Sequence, residues 1–324
     1  MDARLPPADP RGVAEGAPAA VGAPLLVIAG PTGVGKSAVA VAVARAVGGE
    51  VVGADSMQVY RGMDIGTGKL RPEERGGVPH HMLDVWEVEE RGSAGRFLRE
   101  ARAAIAAIHR RGRLPILCGG TGLYLRAVVD GLAEGTGRDP GVEARIEQRL
   151  ARVGAEPLHA ELARLDPAAA GRIPATDRFR LVRALGVCLA TGRPFTAVQA
   201  EATRGGGYRT CYLCLTWPRP ALYARIDARV EQMFRAGLVA EVAGLAARLG
   251  PTARLAIGYR ECLALLAGEL DEAAAKVAIQ HATRRYAKRQ LTWFRAVAGV
   301  RFIDLAAAGA SEALVAAAGD LVGR

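Results

Sequence analysis

Residues 30–37, Gly30-Pro31-Thr32-Gly33-Val34-Gly35-Lys36-Ser37, fit the pattern G-x-x-x-x-G-K-[ST]. Glycines at both ends of such a loop let backbone N–H groups turn inward around an anion. The helix that follows adds its positive N-terminus, Lys36 adds a point charge, and the Ser37 hydroxyl can reach a divalent cation. The apolar run "PLLVIAG" before the loop reads as a strand, and "KSAVAVAVARAVG" after it reads as a helix closed by Gly48. A chance match in a Gly-rich chain would lack that context, so the loop specifies a bound di- or triphosphate. It leaves open what happens to that phosphate.

Two further stretches carry candidate chemistry. Asp55 closes the second strand signal, "VVGADS", and opens "DSMQVYRGMDIGTGK" (55–69), a polar, Gly-containing run without the apolar periodicity of a helix. An isolated Asp at a strand end is often a turn or helix cap; in a phosphate-transfer enzyme it is a metal ligand or a base. "GGTGLY" (119–124) sets Thr121 among glycines, either as a tight strand-to-helix turn or as a hydroxyl facing a phosphate or a base.

The elements that must position these residues alternate. Strand, helix, strand, the helix "AGRFLREARAAIAAIHRRGR", then the strand "LPILCGG" make an open parallel α/β sheet. Ligands bind at the carboxyl ends of such strands, which brings Gly30–Ser37, Asp55–Ser56 and Gly119–Gly122 to one edge. From 134 to 206 the alternation stops and helical signals such as "DPGVEARIEQRLARVG" and "DRFRLVRALGVCLATGRP" form an expected insertion. "YRTCYLCLTWP" resumes as a strand, and helices follow to the end. Residues 1–23 are rich in Pro, Ala and Gly and are expected as a disordered tail with no apolar signal core.

Charge and cysteine content narrow the partners. The formal net charge is +10, from 43 Lys and Arg against 33 Asp and Glu, which favours a polyanion. "QHATRRYAKRQLTWFR" (280–295) is a basic helix with Arg284/Lys288 and Arg285/Arg289 one turn apart; such a stripe is either a solvated face or a phosphate-backbone contact. Arg178, Arg180 and Arg183 form a second cluster. Five scattered cysteines make no disulfide framework, and Cys211-x-x-Cys214 lacks the further ligands of a zinc site. They point to a reducing cytoplasm. His80 and His81 read as packing or capping residues. No apolar run of about 18 residues is present to span a membrane.

Taken in order, "GPTGVGKS", "DSMQVYRGMDIGTGK", "VPHH", "GGTGLYL", "DRFRLVRAL", "IGYRE" and "AKRQLTWFR" resemble the tRNA dimethylallyltransferases, the bacterial tRNA isopentenyltransferase family, almost from end to end. The resemblance implies a P-loop NTPase-like parallel-sheet core (24–133 and 207–324), a helical tRNA-binding insertion (134–206) and a helical C-terminal region. It implies transfer of a dimethylallyl group from dimethylallyl diphosphate to N6 of the adenosine immediately 3′ of the anticodon, in tRNAs reading codons that start with U. Residues 30–37 would hold the donor diphosphate with Mg2+ on Ser37, and Asp55 would be the general base, with Lys36 and Thr121 also catalytic. The tRNA anticodon stem-loop would meet Asp55, Ser56, Met57, Gln58 and Thr121 at the base. Along the arm it would meet Phe179, Arg180, Arg183, Arg254, Tyr259, Arg260, Lys288, Arg289, Gln290, Trp293 and Arg295. A cytoplasmic monomer is expected.

This chain departs from the family pattern at three places. Phe179 stands where Gln is usual, Leu255 where Gln or Arg is usual, and Gly186 where an acid is frequent. A Phe can stack on a base where Gln would hydrogen-bond. Three other readings compete: a dimethylallyltransferase acting on free AMP, a nucleoside or small-molecule kinase turning over ATP, and a non-catalytic RNA-binding protein. The insertion and the basic helix argue against the first, the lack of a distinct lid against the second, and the phosphate loop against the third.

Overall fold

A computed structural model of the 324-residue chain describes residues 22–132, 139–202 and 207–323; the expected N-terminal tail, up to residue 21, lies outside them. The described chain divides into two compact units. One holds the residues up to Leu125 and those from Gly207 on; the other is Arg126–Gly206.

The first unit is built on a six-stranded, all-parallel sheet: β1 (Ala23–Ala29), β2 (Glu50–Gly53), β3 (His80–His81), β4 (Pro115–Gly119), β5 (Tyr208–Thr216) and β6 (Arg301–Asp304). Their spatial order is β3-β2-β4-β1-β5-β6. Leu25, Leu26, Val27 and Ile28 are all fully buried, so both faces of β1 are covered. That requires helices on each side, as in any parallel sheet. Each such side chain contributes roughly 1.5–3 kcal/mol on leaving water. α1 (Lys36–Val47) packs on β1, β2 and β4, and α2 (Ala94–Arg110) buries Phe97, Leu98 and Ile105 against β2 and β4.

β4 runs into Gly119 and then into α3 (Gly122–Asp130). The "GGTGLY" stretch is thus the tight strand-to-helix turn the sequence offers, helical from three residues after β4. α3 also crosses the boundary between units, which falls at 125/126, eight residues before the expected insertion start. A Cβ on Gly119 would lie 2.0 Å from the Ala54 carbonyl, so only glycine lets β4 approach the end of β2 there.

The second unit contains α4 (Pro140–Val153), α5 (Glu156–Leu165), α6 (Pro167–Ala170), α7 (Arg178–Thr191) and α8 (Phe195–Ala202). Val142, Ile146, Leu158, Leu162, Leu181 and Leu185 form its own core. Asp139, Asp166 and Asp177 each accept from a first-turn amide and so cap α4, α6 and α7.

Back in the first unit, α9 (Arg219–Arg235) is followed by α10 (Leu238–Leu245). Gly237 separates them at φ +99°, which ends what the sequence offers as one long helix. α11 (Tyr259–Leu266), α12 (Glu272–Arg295) and α13 (Ala310–Val322) complete it, with α13 beside α1. Among the described residues no single helix is long and apolar enough to cross a membrane.

Candidate active site

The phosphate loop leaves β1 at Gly30 and enters α1 at Lys36. Three of its carbonyls accept from side chains. Lys36 Nζ donates to Pro31 O at 2.9 Å, Arg225 Nε to Gly33 O at 3.1 Å, and Trp217 Nε1 to Val34 O at 3.0 Å. The Arg225 guanidinium lies over the Trp217 ring, 5.1 Å from its centroid. No backbone carbonyl among the described residues accepts from Gly33, Gly35, Lys36 or Ser37, so these donors and the N-terminus of α1 form an anion cradle. Two loop amides are taken up inside the protein: Thr32 N–H donates to Gln290 Oε1 at 2.9 Å and Val34 N–H to Pro31 O at 3.4 Å.

Electrostatics in the cradle are set by two cations. Burial lowers the Lys36 pKa and Arg229 adds to that, while Cys118, Asp55 and Cys214 oppose it. Burial also lowers the Arg229 pKa, opposed by Asp55. Arg229 Nη2 donates to Thr67 O at 3.0 Å and Nη1 to Thr32 Oγ1 at 3.4 Å, so its guanidinium bridges the phosphate loop and the 55–69 run. Arg225 and Arg229 escaped the sequence reading; an Arg pair at i, i+4 in "YARIDARV" was their one trace. Cys118 and Cys214 flank Lys36 as buried thiols pushed up to about 11 and about 12.

Asp55 follows β2 directly. Ala54 is clasped on both sides, its N–H donating to Cys118 O at 2.7 Å and its carbonyl accepting from Thr121 N at 3.2 Å. Asp55 Oδ1 accepts from Met57 N at 2.9 Å and Gln58 N at 3.4 Å, an Asx turn. Oδ2 has no hydrogen-bond partner among the described residues. One oxygen therefore shapes the turn, the capping role open to such an Asp, and the other stays unbonded among the described residues. Thr121 Oγ1 accepts from Ser56 N at 3.0 Å, tying the "GGTG" turn to the Asp55 turn.

α12 closes this edge. Gln290 is buried; its Nε2 donates to Gly120 O at 2.8 Å while Oε1 holds Thr32 N. Tyr286 lies against Thr121 and Gln290 near Asp55, and burial pushes its hydroxyl up to about 12; Arg289 sits 5.6 Å over its ring. Trp293 packs so closely on Gly122 that a Cβ there would meet Nε1 at 2.3 Å. On the outer face Arg285, Lys288, Arg289, Thr292 and Trp293 line an open groove of about 640 Å3. Arg295 is exposed beyond it.

The structure corrects two expected RNA contacts. Tyr259 is fully buried and its hydroxyl donates to Glu241, and Gln290 has both ends of its carboxamide occupied inside the protein. Both are internal braces. Arg254 and Arg260 are exposed, although Arg254 donates to Ala246 O and Arg260 pairs with Glu261. In the second unit Arg180 is exposed beside Asp177, Arg183 pairs with Glu143 at 3.2 Å, and Phe179 is 77 % exposed. A Cβ on Gly186 would meet Glu143 Cγ at 3.3 Å. Leu255 is exposed as well. His81 binds Glu50 and His80 binds Val78 O, the packing role expected of them.

The donor set bears on a metal ion too. The Ser37 hydroxyl has no hydrogen-bond partner among the described residues, and no group of three His, Cys, Asp or Glu among them is placed to hold a cation. A single hydroxyl beside a phosphate cradle suits Mg2+, which is commonly held by one or two protein groups together with substrate phosphates and water.

Comparison with known proteins agrees with this geometry. Residues 58–297 match the IPP transferase family model, and residues 23–91 match the isopentenyl transferase model. The chain is 51 % identical over 281 residues to the tRNA dimethylallyltransferase of an Anaeromyxobacter species (strain Fw109-5), covering 86 % of this chain and 94 % of that one. It is 48 % identical over 291 residues to that of Streptomyces avermitilis, covering 89 % and 92 %. Among solved structures, the tRNA isopentenylpyrophosphate transferase of Bacillus halodurans superposes with TM-score 0.69 at 39 % identity, over 92 % of this chain and 96 % of that one. A eukaryotic dimethylallyltransferase acting on tRNA superposes with TM-score 0.80 at 29 % identity, over 92 % and 79 %. With a P-loop NTPase-like sheet and these matches along most of its length, the chain belongs to the IPP transferase family.

Proposed function

We propose that this chain transfers the dimethylallyl group of dimethylallyl diphosphate to N6 of the tRNA adenosine immediately 3′ of the anticodon, in tRNAs reading codons that start with U, and releases diphosphate. The observation that carries this reading is Asp55, with one carboxylate oxygen unbonded among the described residues, at the same sheet edge as the unbonded amides of Gly33, Gly35, Lys36 and Ser37. Adenine N6 is a poor nucleophile because its lone pair is delocalised into the ring. As N6 bonds to the allylic C1, the C1–O bond breaks, the electron pair leaves with the diphosphate, and the N6 proton passes to Asp55 Oδ2. Lys36, Arg229 and the loop amides stabilise the charge that develops on the leaving oxygen. Ser37 is the residue to hold Mg2+, which when bound supplies further neutralisation of that charge.

Thr121 keeps the Asp55 turn in place and contacts the acceptor. Ser56, Met57 and Gln58 meet the extruded base, whose removal from a single-stranded loop costs a few kcal/mol. Lys288, Arg289, Trp293 and Arg295 serve the anticodon arm, as do Arg180, Arg183 and Phe179 of the insertion unit and Arg254 and Arg260 of the first unit. Cradle and base come from one chain, so a monomer suffices. The free cysteines and a tRNA substrate support a cytoplasmic location.

The test is a transfer assay with labelled dimethylallyl diphosphate, Mg2+ and unmodified tRNA, run beside AMP as acceptor and beside ATP hydrolysis. Label on the tRNA adenosine is the expected result. Label on AMP alone, or ATP turnover without transfer, would replace this reading with one of its competitors.

A further inference from the structure

The segment that follows Gln58 is pinned from two sides. Glu241 of α10 gathers three successive amides: Oε2 accepts from Asp64 N at 3.0 Å and Ile65 N at 2.7 Å, and Oε1 from Gly66 N at 3.0 Å. Tyr259 donates its hydroxyl to the same carboxylate. From within, the buried Lys69 ammonium reaches Tyr60 O at 2.9 Å, Asp64 Oδ1 at 2.6 Å and Asp84 Oδ1 at 2.5 Å. Charge-assisted bonds of this kind are about twice as strong as neutral ones.

Between the two anchors the carbonyls of Thr67 and Gly68 face Gln58, whose Nε2 donates to them at 3.1 and 3.5 Å. Both amide hydrogens of Gln58 are thereby committed inside the loop. The opposite orientation of the carboxamide would set Oε1 against two carbonyl oxygens, so the polarity is fixed by its neighbours. Oε1 has no partner among the described residues, and Gln58 remains partly exposed, three residues from Asp55.

We infer that this loop reads the hydrogen-bond polarity of the acceptor base. Gln58 presents only an acceptor, and Glu241 is the positioning residue that keeps it so. The inference rests on the transfer reaction proposed above and adds how the amine is chosen. An exocyclic amine offers two N–H donors: one proton passes to Asp55 as the N–C bond forms, and the other stays on N6, held by Gln58 Oε1. A purine with a carbonyl at that carbon would face two acceptors with its own lone pairs. Sites built around such contacts reject analogues that leave them unmade.

The experiment measures Kd for anticodon stem-loops carrying adenosine, purine riboside (which lacks the amine) or inosine at the target position. It compares the wild type with Gln58→Leu and Glu241→Gln, each checked by thermal melting. The wild type should prefer adenosine to purine by about tenfold, the scale of one net hydrogen bond. Gln58→Leu should cut that ratio at least fivefold while leaving purine binding within twofold. Glu241→Gln, which turns an N–H towards the loop amides, should cut it about threefold. General loss of structure would weaken all three RNAs alike and leave the ratio unmoved. A wild-type ratio in Gln58→Leu overturns the reader while normal transfer of label leaves the proposed function standing. A ratio lost only in Gln58→Leu removes Glu241 from it. Failure of the wild type to distinguish the three stem-loops overturns the reader outright, and absence of transfer overturns the proposed function separately.

Discussion

The two ends of β2 carry carboxylates of opposite character. Glu50, at its start, is 2 % exposed and fully partnered: Arg111 donates to both its oxygens at 2.9 and 2.6 Å, and His81 Nε2 lies 2.7 Å away. The Arg111 hydrogen bonds hold its pKa below the usual carboxylate value, against the opposing effect of burial. Asp55, just past the other end, spends one oxygen on its own turn and leaves the other bare. The same strand thus anchors a charge whose contacts are complete and presents one with an oxygen left over for the proposed transfer. Completeness marks stability, and a missing partner marks chemistry.

That contrast breaks first at Asp55. Asp55→Ala should lower the transfer rate by about 10²–10⁴-fold, the range for loss of a general base, with tRNA affinity nearly unchanged and stability lowered only by the roughly 1 kcal/mol of the lost turn cap. A near wild-type rate in single-turnover transfer would remove Asp55 from the mechanism. Glu50→Ala should do the reverse. It should cost about 2–3 kcal/mol by urea unfolding, below the 3–5 kcal/mol of a deeply buried pair, because the orphaned Arg111 is half exposed and rehydrates. Transfer per folded molecule should stay within about twofold, since the catalytic groups are untouched. A loss of rate equal to that of Asp55→Ala would erase the distinction between the two ends.

The acid limb of stability sharpens the same comparison. Glu50 has a folded pKa below its ordinary 4.5, so as pH falls the unfolded chain binds the proton first. Its contribution is complete above about pH 4.5 and disappears as pH drops through the folded value. Melting temperatures between about pH 6 and 3 should therefore fall less steeply in Glu50→Gln than in the wild type. Parallel curves would show that the Arg111 contact adds nothing that titrates.

The phosphate loop and Asp55 were legible in the sequence because their signals are local: glycines, a strand before, a helix after. The open parallel sheet followed from the same alternation, and its P-loop NTPase-like character from the family resemblance. The edge strands β3 and β6 were not legible, being two and four residues long and only partly covered. Arg225, Arg229 and Trp217 were missed because their partners lie 162 to 197 residues away in the chain. Gln290 shows a different failure. Read as one basic run, residues 288–295 suggest a single RNA-facing stripe, yet Ala287, Gln290 and Phe294 fall on the buried face of α12 at i, i+3, i+7 while Lys288, Arg289 and Arg295 face out. Periodicity within the motif, rather than the motif itself, separates brace from contact.

Phe179 carries the rule of the missing partner into the second unit and gives the smallest predicted effect. It follows the first residue of α7, 77 % exposed, between the exposed side chains of Arg178 and Arg180. Buried Leu181 and Leu185 of the same helix already supply the core, so Phe179 adds no packing there. A planar apolar ring between two guanidinium groups suits a stacked, unpaired base with its phosphates on either side. Phe179→Ala should leave melting temperature and the KM for dimethylallyl diphosphate unchanged and raise the KM for tRNA about 5–30-fold, as expected for losing one stacked base at about 1–2 kcal/mol. Phe179→Trp should retain affinity, and Phe179→Gln should fall between Trp and Ala because it can replace stacking only with hydrogen bonds. If Phe179→Ala bound tRNA like the wild type, exposure in the second unit would carry no functional meaning, and the contrast drawn at β2 would hold only within the first.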